Sequence, residues 1–193
     1  MTQSGRVRDD AVAKAEPSWV NLANAFTMLR ALLVPVIAAL VFADGDTARW
    51  WAFAVFVFAA LTDSIDGWVA RRLIGITRFG QLADPLADKL LIIGSLSVLA
   101  VNQELPWLAV VIIVIREVAV TVQRTVLVRR GVVMSASPFG KAKTVSQVAA
   151  VTLYLLPTVP SAVAFVALLV AVALTVGSGI DYAVRGARNA RAR

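Results

Sequence analysis

Apolar stretches of about twenty residues return along this chain, separated only by short turn-forming breaks, and no other feature constrains its fold as strongly. About twenty such residues in a helix cross the hydrocarbon core of a bilayer. Inside lipid a helix satisfies its own backbone hydrogen bonds, so helices are the natural reading of these runs. The chain is therefore expected to be all-α, an integral membrane bundle of six transmembrane helices at 21–43, 50–73, 84–102, 106–130, 140–157 and 160–184. Hydrophobic residues make up 59% of the chain, and its mean hydropathy is +0.78. Soluble domains run at about 45–50% apolar residues, so a soluble fold is disfavoured. The breaks fall at Asp44-Gly45-Asp46, Gly75 to Gly80, Asn102 to Pro106, Gly131 to Pro138 and Pro157 to Pro160, each rich in turn formers. None could separate two soluble domains, and no internal repeat is visible. The expected organisation is a cytoplasmic N-terminal tail at 1–20, a membrane domain at 21–184 and a basic C-terminal tail at 185–193. The first tail is polar and mixed in charge, unlike a signal peptide.

An even number of spans puts both termini on one side, and the basic residues say which. Arg6, Arg8, Lys14, Arg71, Arg72, Arg78, Arg129, Arg130, Lys141, Lys143, Arg185, Arg188, Arg191 and Arg193 fall on that side, whereas the opposite loops offer only Arg49. Positive residues stay inside, so both ends are expected in the cytoplasm of a multi-pass plasma-membrane protein. Trp50, Trp51 and Trp107 sit at the other ends of the helices, where interfacial aromatics anchor. The net charge of +7 is then explained by topology and anionic lipid, and no nucleic-acid partner is expected.

The chain has no cysteine and no histidine, so metal binding or proton transfer would fall to carboxylates. Asp63, Asp66, Gly67 and Ala70 share one helical stripe with Arg71 at its edge, and Asp84 and Asp88 share a face of the next helix. A short loop should make these helices antiparallel neighbours, with their acidic ends together on the cytoplasmic side. An aspartate costs about 2.5–3.5 kcal/mol at mid-span, so something must neutralise four of them. Two divalent cations would do so, because carboxylate oxygens suit hard ions and leave coordination room for a phosphate. The plainer alternative pairs Asp63 and Asp66 with Arg71 or Arg72 and makes Asp84 a helix start ahead of Pro85. Gly67, Ala70 and Gly80 allow close backbone approach by a ligand, or simply close helix packing.

The pattern Asp63-x2-Asp66-Gly67-x2-Ala70-Arg71-x8-Gly80-x3-Asp84-x3-Asp88 resembles the complete signature of the CDP-alcohol phosphotransferase family. The resemblance implies a six-helix membrane core, a homodimer, and transfer of a phosphatidyl group from a CDP-linked lipid such as CDP-diacylglycerol to an alcohol. It also implies two cations, Mg²⁺ or Mn²⁺, held by Asp63, Asp66, Asp84 and Asp88, with Asp88 the catalytic general base. Gly67, Ala70, Arg71 and Gly80 would line the CDP-lipid pocket, with Asn24 a weaker candidate.

Family members differ in the alcohol they accept. Here Thr77 to Lys89, Ile115-Arg116-Glu117 and Gly140 to Thr144 resemble the phosphatidylglycerophosphate synthase branch, as does Asn21 to Arg30 apart from Ala23 and Phe26. That branch accepts glycerol 3-phosphate, whose charge calls for cationic partners. Arg116 lies within an apolar helix, where an unpaired guanidinium is costly. Adjacent helical residues point apart, which disfavours a simple pair with Glu117 and favours a pocket role, with Glu117 orienting it from behind. Lys141, Lys143 and Arg30 complete the acceptor-phosphate candidates, and Arg124 is weaker. A cardiolipin synthase taking phosphatidylglycerol and a phosphatidylinositol phosphate synthase are alternatives of the same fold. An ion-coupled transporter would also keep charges among membrane helices, but such sites lie near the midplane of related halves. A non-catalytic scaffold leaves the four aspartates unexplained.

Overall fold

The computed structural model describes the backbone of residues 19–43, 45–73, 80–129 and 138–191, and side chains at 29, 31–43, 45–62, 89–128 and 139–186. Among the described residues the chain is all-helical: α1 (Trp19–Phe42), α2 (Asp46–Leu73), α3 (Gly80–Val101), α4 (Trp107–Arg129), α5 (Pro138–Leu155) and α6 (Ser161–Arg191). The tail expected over 1–20 lies outside the described residues as far as residue 18, as do Asp44, residues 75–79 and residues 131–137 of three expected breaks.

Local chemistry explains the helix ends. Gly45 has φ of 110°, a conformation open to glycine, and its carbonyl accepts the N–H of Arg49 at 3.3 Å. Consequently α2 starts at Asp46, ahead of the expected residue 50, with an acidic side chain favourably placed in its first turn. At the end of α3 the Glu104 N–H reaches the Leu99 carbonyl at 3.0 Å, and the Gln103 N–H reaches Ala100 at 3.1 Å. This is a Schellman cap, and its left-handed position is filled by Gln103 at φ 59°. The Pro106 carbonyl accepts the Ala109 N–H at 3.0 Å at the head of α4, and α5 opens on Pro138, where a missing N–H is harmless.

One further helix start and one helix end depart from expectation in ways that matter. α3 begins at Gly80, so Asp84 and Pro85 lie in its second turn, and Asp84 is not the helix start. α6 continues to Arg191 beyond the expected residue 184, carrying most of the basic terminal segment as helix; Arg185 Nε pairs with Asp181 Oδ1 at 2.8 Å, one turn back.

α5 packs most extensively on α6, α1 on α3 and α2, and α4 on α6. Phe56, Ile37, Leu96, Leu99, Ile113, Val151, Leu155 and Leu168 form the fully buried centre. The α1–α3 contact is tight, since a Cβ on Gly94 would stand 2.7 Å from Val34 Cγ1. At the end of α2 remote from Asp63 and Asp66, Arg49 is bound to Glu104 and to the Tyr154 carbonyl at 3.4 Å, joining α2, the α3–α4 turn and α5.

The outward faces are apolar: Leu32, Trp51, Phe58, Leu61, Leu108, Ile115, Val145, Val166 and Ile180 are all exposed. Among the described residues Ser161–Gly186 is one helix long and apolar enough to cross a membrane, while Ala31–Phe42 and Lys89–Val101 are shorter apolar helices. The interior, by contrast, holds Ser95, Glu117, Lys143, Gln147, Thr175 and Ser178.

Candidate active site

The acidic motif occupies two helices consecutive in the chain. α2 carries Asp63, Asp66, Gly67, Ala70 and Arg71 along its final turns, and α3 opens on Gly80 with Asp84 and Asp88 following at helical spacing. Positions three or four apart lie on one side of a helix, so Asp63 and Asp66 share a side of α2, and Asp84 and Asp88 a side of α3. The two helices touch, and α1, which bears Asn24 and Arg30, packs against both. The side chains of Asn24, Arg30, Asp63, Asp66, Gly67, Ala70, Arg71, Gly80, Asp84 and Asp88 lie outside the described residues. Carboxylates in a chain without cysteine or histidine form an all-oxygen donor set, which fits a hard divalent cation and not a thiophilic one.

One residue beyond Asp88 begins a polar cluster whose side chains are described. Glu117 of α4 is 4% exposed. Its Oε1 accepts hydrogen bonds from Lys143 Nζ of α5 and from Arg116 Nη1, the latter at 3.0 Å. Its Oε2 faces Lys89 Nζ of α3 at 3.2 Å. Lys89 also donates to Thr121 Oγ1, whose hydroxyl donates to the Glu117 carbonyl at 2.7 Å. Arg116 Nη2 donates to Ser178 Oγ of α6 at 2.9 Å, and its guanidinium carbon stands 5.9 Å from the Tyr182 ring centre. Ser178 donates onward to the Thr175 carbonyl at 2.9 Å, and Gln147 of α5 donates to Thr175 Oγ1 at 2.9 Å. The polar chain thus joins α3, α4, α5 and α6.

Gly179 makes room for the arginine, because a Cβ there would meet Arg116 Cγ at 3.1 Å. Seven residues further along both helices, Gly186 faces Gln123, whose Nε2 donates to the Tyr182 carbonyl at 3.1 Å. The repeat of seven is the spacing of a side-by-side helix seam.

The structure brings Arg116 and Lys143 together and leaves Lys141 exposed. It also corrects the expectation that Arg116 and Glu117, as neighbours on a helix, point apart: both side chains are long enough to curl toward the same space, where the carboxylate serves three cations at once. Sequence reasoning missed Lys89, Thr121 and Ser178. Lys89 carried a signal, since it directly follows Asp88 at the start of an apolar run. Among the described residues three cations surround one anion, and Arg116 Nε is buried without a partner. Uncompensated buried charge is costly, so such a cluster suits an anionic ligand carrying two charges, as a phosphate monoester does.

Known proteins extend this picture. The family model for CDP-alcohol phosphatidyltransferase matches residues 20–177. A probable phosphatidylglycerophosphate synthase of Mycobacterium tuberculosis is 43% identical over 174 residues, covering 88% of this chain and 83% of the relative. The CDP-diacylglycerol–glycerol-3-phosphate 3-phosphatidyltransferase of Bacillus subtilis is 38% identical over 179 residues, covering 84% of this chain and 93% of the relative. The Rickettsia typhi protein of the same name is 32% identical over 172 residues, covering 84% and 94%. With the family match spanning most of the chain and the acidic signature carried on α2 and α3, this protein belongs to the CDP-alcohol phosphatidyltransferase family of membrane-bound enzymes.

Proposed function

We propose that this chain transfers the phosphatidyl group of CDP-diacylglycerol to glycerol 3-phosphate, releasing CMP and forming phosphatidylglycerophosphate for phospholipid biosynthesis. The observation that carries the choice of acceptor is the cluster of Arg116 and Lys143, both buried, and the partly exposed Lys89 on Glu117, which holds more positive than negative charge and begins one residue after Asp88. The names of the Bacillus subtilis and Mycobacterium tuberculosis relatives support the same substrates.

Asp63, Asp66, Asp84 and Asp88 are the ligands for two divalent cations, Mg²⁺ or Mn²⁺. Bound there, the cations supply charge neutralisation for the diphosphate and for departing CMP. Gly67, Ala70 and Gly80 let the nucleotide approach the backbone, while Arg71 and Asn24 contact the CDP-lipid. Arg116 and Lys143, the two candidates that burial supports, hold the acceptor phosphate with Arg30, whereas Lys141 lies on the exposed side of α5. Asp88 takes the proton from the acceptor hydroxyl as its oxygen bonds to the lipid-side phosphorus, and the bond from that phosphorus to the bridging oxygen breaks.

Exposed apolar side chains on all six helices, Leu90 and Val101 of α3 among them, support six membrane spans. The distribution of Lys and Arg supports cytoplasmic termini and a cytoplasmic-facing site at the plasma membrane, with tails at 1–20 and 185–193 flanking the membrane domain at 21–184. The assembly proposed is a homodimer in membrane lipid.

The test is an acceptor panel with purified protein in detergent and CDP-diacylglycerol, with and without Mg²⁺ or Mn²⁺. Radiolabel entering lipid from glycerol 3-phosphate, matched by CMP release and dependent on the metal, is expected. Labelling only from phosphatidylglycerol or inositol phosphate would overturn the acceptor assignment, and absence of CMP from every acceptor would overturn the activity.

A further inference from the structure

The buried cluster around Glu117 poses a physical problem that its own geometry answers. Three cations come from three different helices, Lys89 from α3, Arg116 from α4 and Lys143 from α5, and all reach one carboxylate. Like charges this close repel strongly in a poorly screened interior. Glu117 is therefore what allows them to share a site and what fixes their directions. Among the described residues this network keeps two more cations than anions, and only Lys89 of the three is partly exposed to solvent. It also leaves Arg116 Nε buried without a partner.

Lys89 adds a second connection. It is the next residue after Asp88 on α3, and its ammonium is held from α4 by Glu117 Oε2 at 3.2 Å, by the Glu117 carbonyl at 3.5 Å and by Thr121 Oγ1. The turn of α3 that carries Asp88 is thereby tied to the helix that carries the anion-binding arginine. A phosphate held at the cluster would keep the hydroxyl at the other end of a short acceptor in register with that turn.

We propose that Glu117 is a positioning residue for the acceptor: it presents Lys89, Arg116 and Lys143 as one pre-assembled phosphate receptor, and Lys89 couples that receptor to the helical turn of Asp88. This rests on the assignment of the cluster to the acceptor phosphate. Glu117 touches the cations and not the reacting atoms, so its loss acts on acceptor binding and alignment.

The experiment uses the full chain in detergent with Mn²⁺, measuring KM for glycerol 3-phosphate and for CDP-diacylglycerol separately, with CDP-induced thermal stabilisation as a check that the nucleotide site is intact. In Glu117→Gln the acceptor KM rises about tenfold or more, the KM for CDP-diacylglycerol stays within about twofold, and stabilisation by CDP persists. Lys89→Met shows the same split with a smaller rise. Where Glu117→Gln does not fold, Glu117→Asp carries the test: it keeps the charge but is one methylene short, and a several-fold rise in acceptor KM alone is expected. An unchanged acceptor KM in a folded Glu117 variant, while Arg116→Ala and Lys143→Ala both raise it, overturns the positioning role and leaves the acceptor site standing. Unchanged acceptor KM in Arg116→Ala and Lys143→Ala overturns the acceptor site itself, and the positioning role with it.

Discussion

Lys143 of α5 and Glu117 of α4 form an ion pair in which each side chain is more than nine-tenths buried, with exposures of 8% and 5%. Removing one member of such a pair strands the other without water, and typically costs about 3–5 kcal/mol. The two members are not equivalent here. Glu117→Leu leaves Lys143, Arg116 and Lys89 facing one another with no anion among the described residues, whereas Lys143→Met leaves Glu117 with two partners. Thermal unfolding in detergent should therefore show a much larger loss for Glu117→Leu than for Lys143→Met. Equal losses would mean that the two residues act only as an isolated pair.

The α1–α3 contact makes a prediction about shape alone. A Cβ on Gly94 would stand 2.7 Å from Val34 Cγ1 and 3.0 Å from its Cγ2, so Gly94→Ala forces the two helices apart or the valine off its rotamer. Overpacking of this kind costs about 1–3 kcal/mol. Val34→Ala removes the obstructing methyls, so the double variant should be more stable than the sum of the two single losses predicts. Strict additivity in that cycle would place the cost of Gly94→Ala elsewhere.

Gln103 points the other way. Its φ of 59° fills the left-handed position of a cap whose hydrogen bonds are already made, a conformation that costs a residue with a Cβ about 1–2 kcal/mol. Gln103→Gly should raise the unfolding temperature without altering activity, since the turn lies beyond the end of α3 remote from Asp84 and Asp88. A lower unfolding temperature would show that the glutamine side chain holds the turn.

Much of this architecture was legible because bilayer thickness imposes a length on apolar runs, and glycine and proline punctuate them. The breaks at Gly45, Asn102 to Pro106 and Pro157 to Pro160 all fall where helices end. Boundaries slipped where a turn former or a polar residue continues a helix: Asp46 at the start of α2, Gly80 at the start of α3, and Arg185 to Arg191 in α6, where hydropathy falls but nothing breaks the backbone. The acidic signature could be read because its spacing follows helical geometry along two stretches of sequence. The cluster around Glu117 could be read only in part. Arg116 and Lys143 stood out as charges at the start of or within apolar segments, yet their meeting on one carboxylate depends on how α3, α4 and α5 are placed, which local spacing does not encode. Lys141 looked equivalent to Lys143 in sequence, but two residues on a helix turn it to the exposed side.

The sharpest functional prediction concerns Asp88, to which two duties are proposed. As general base its replacement should lower turnover by about 10²- to 10⁴-fold, and as a cation ligand it should also weaken the response to metal. Asp88→Asn removes the base and keeps the shape, so CMP release should fall to near background while the protein still inserts and purifies as the parent does. Asp63→Asn, by contrast, removes only a proposed ligand, and activity should recover in part as Mn²⁺ is raised. Chelation with EDTA should silence the parent enzyme reversibly, with Mg²⁺ or Mn²⁺ restoring it. If Asp88→Asn recovers with added metal as fully as Asp63→Asn does, the proton acceptor must lie elsewhere, among the other carboxylates, lysines or tyrosines of a chain without histidine.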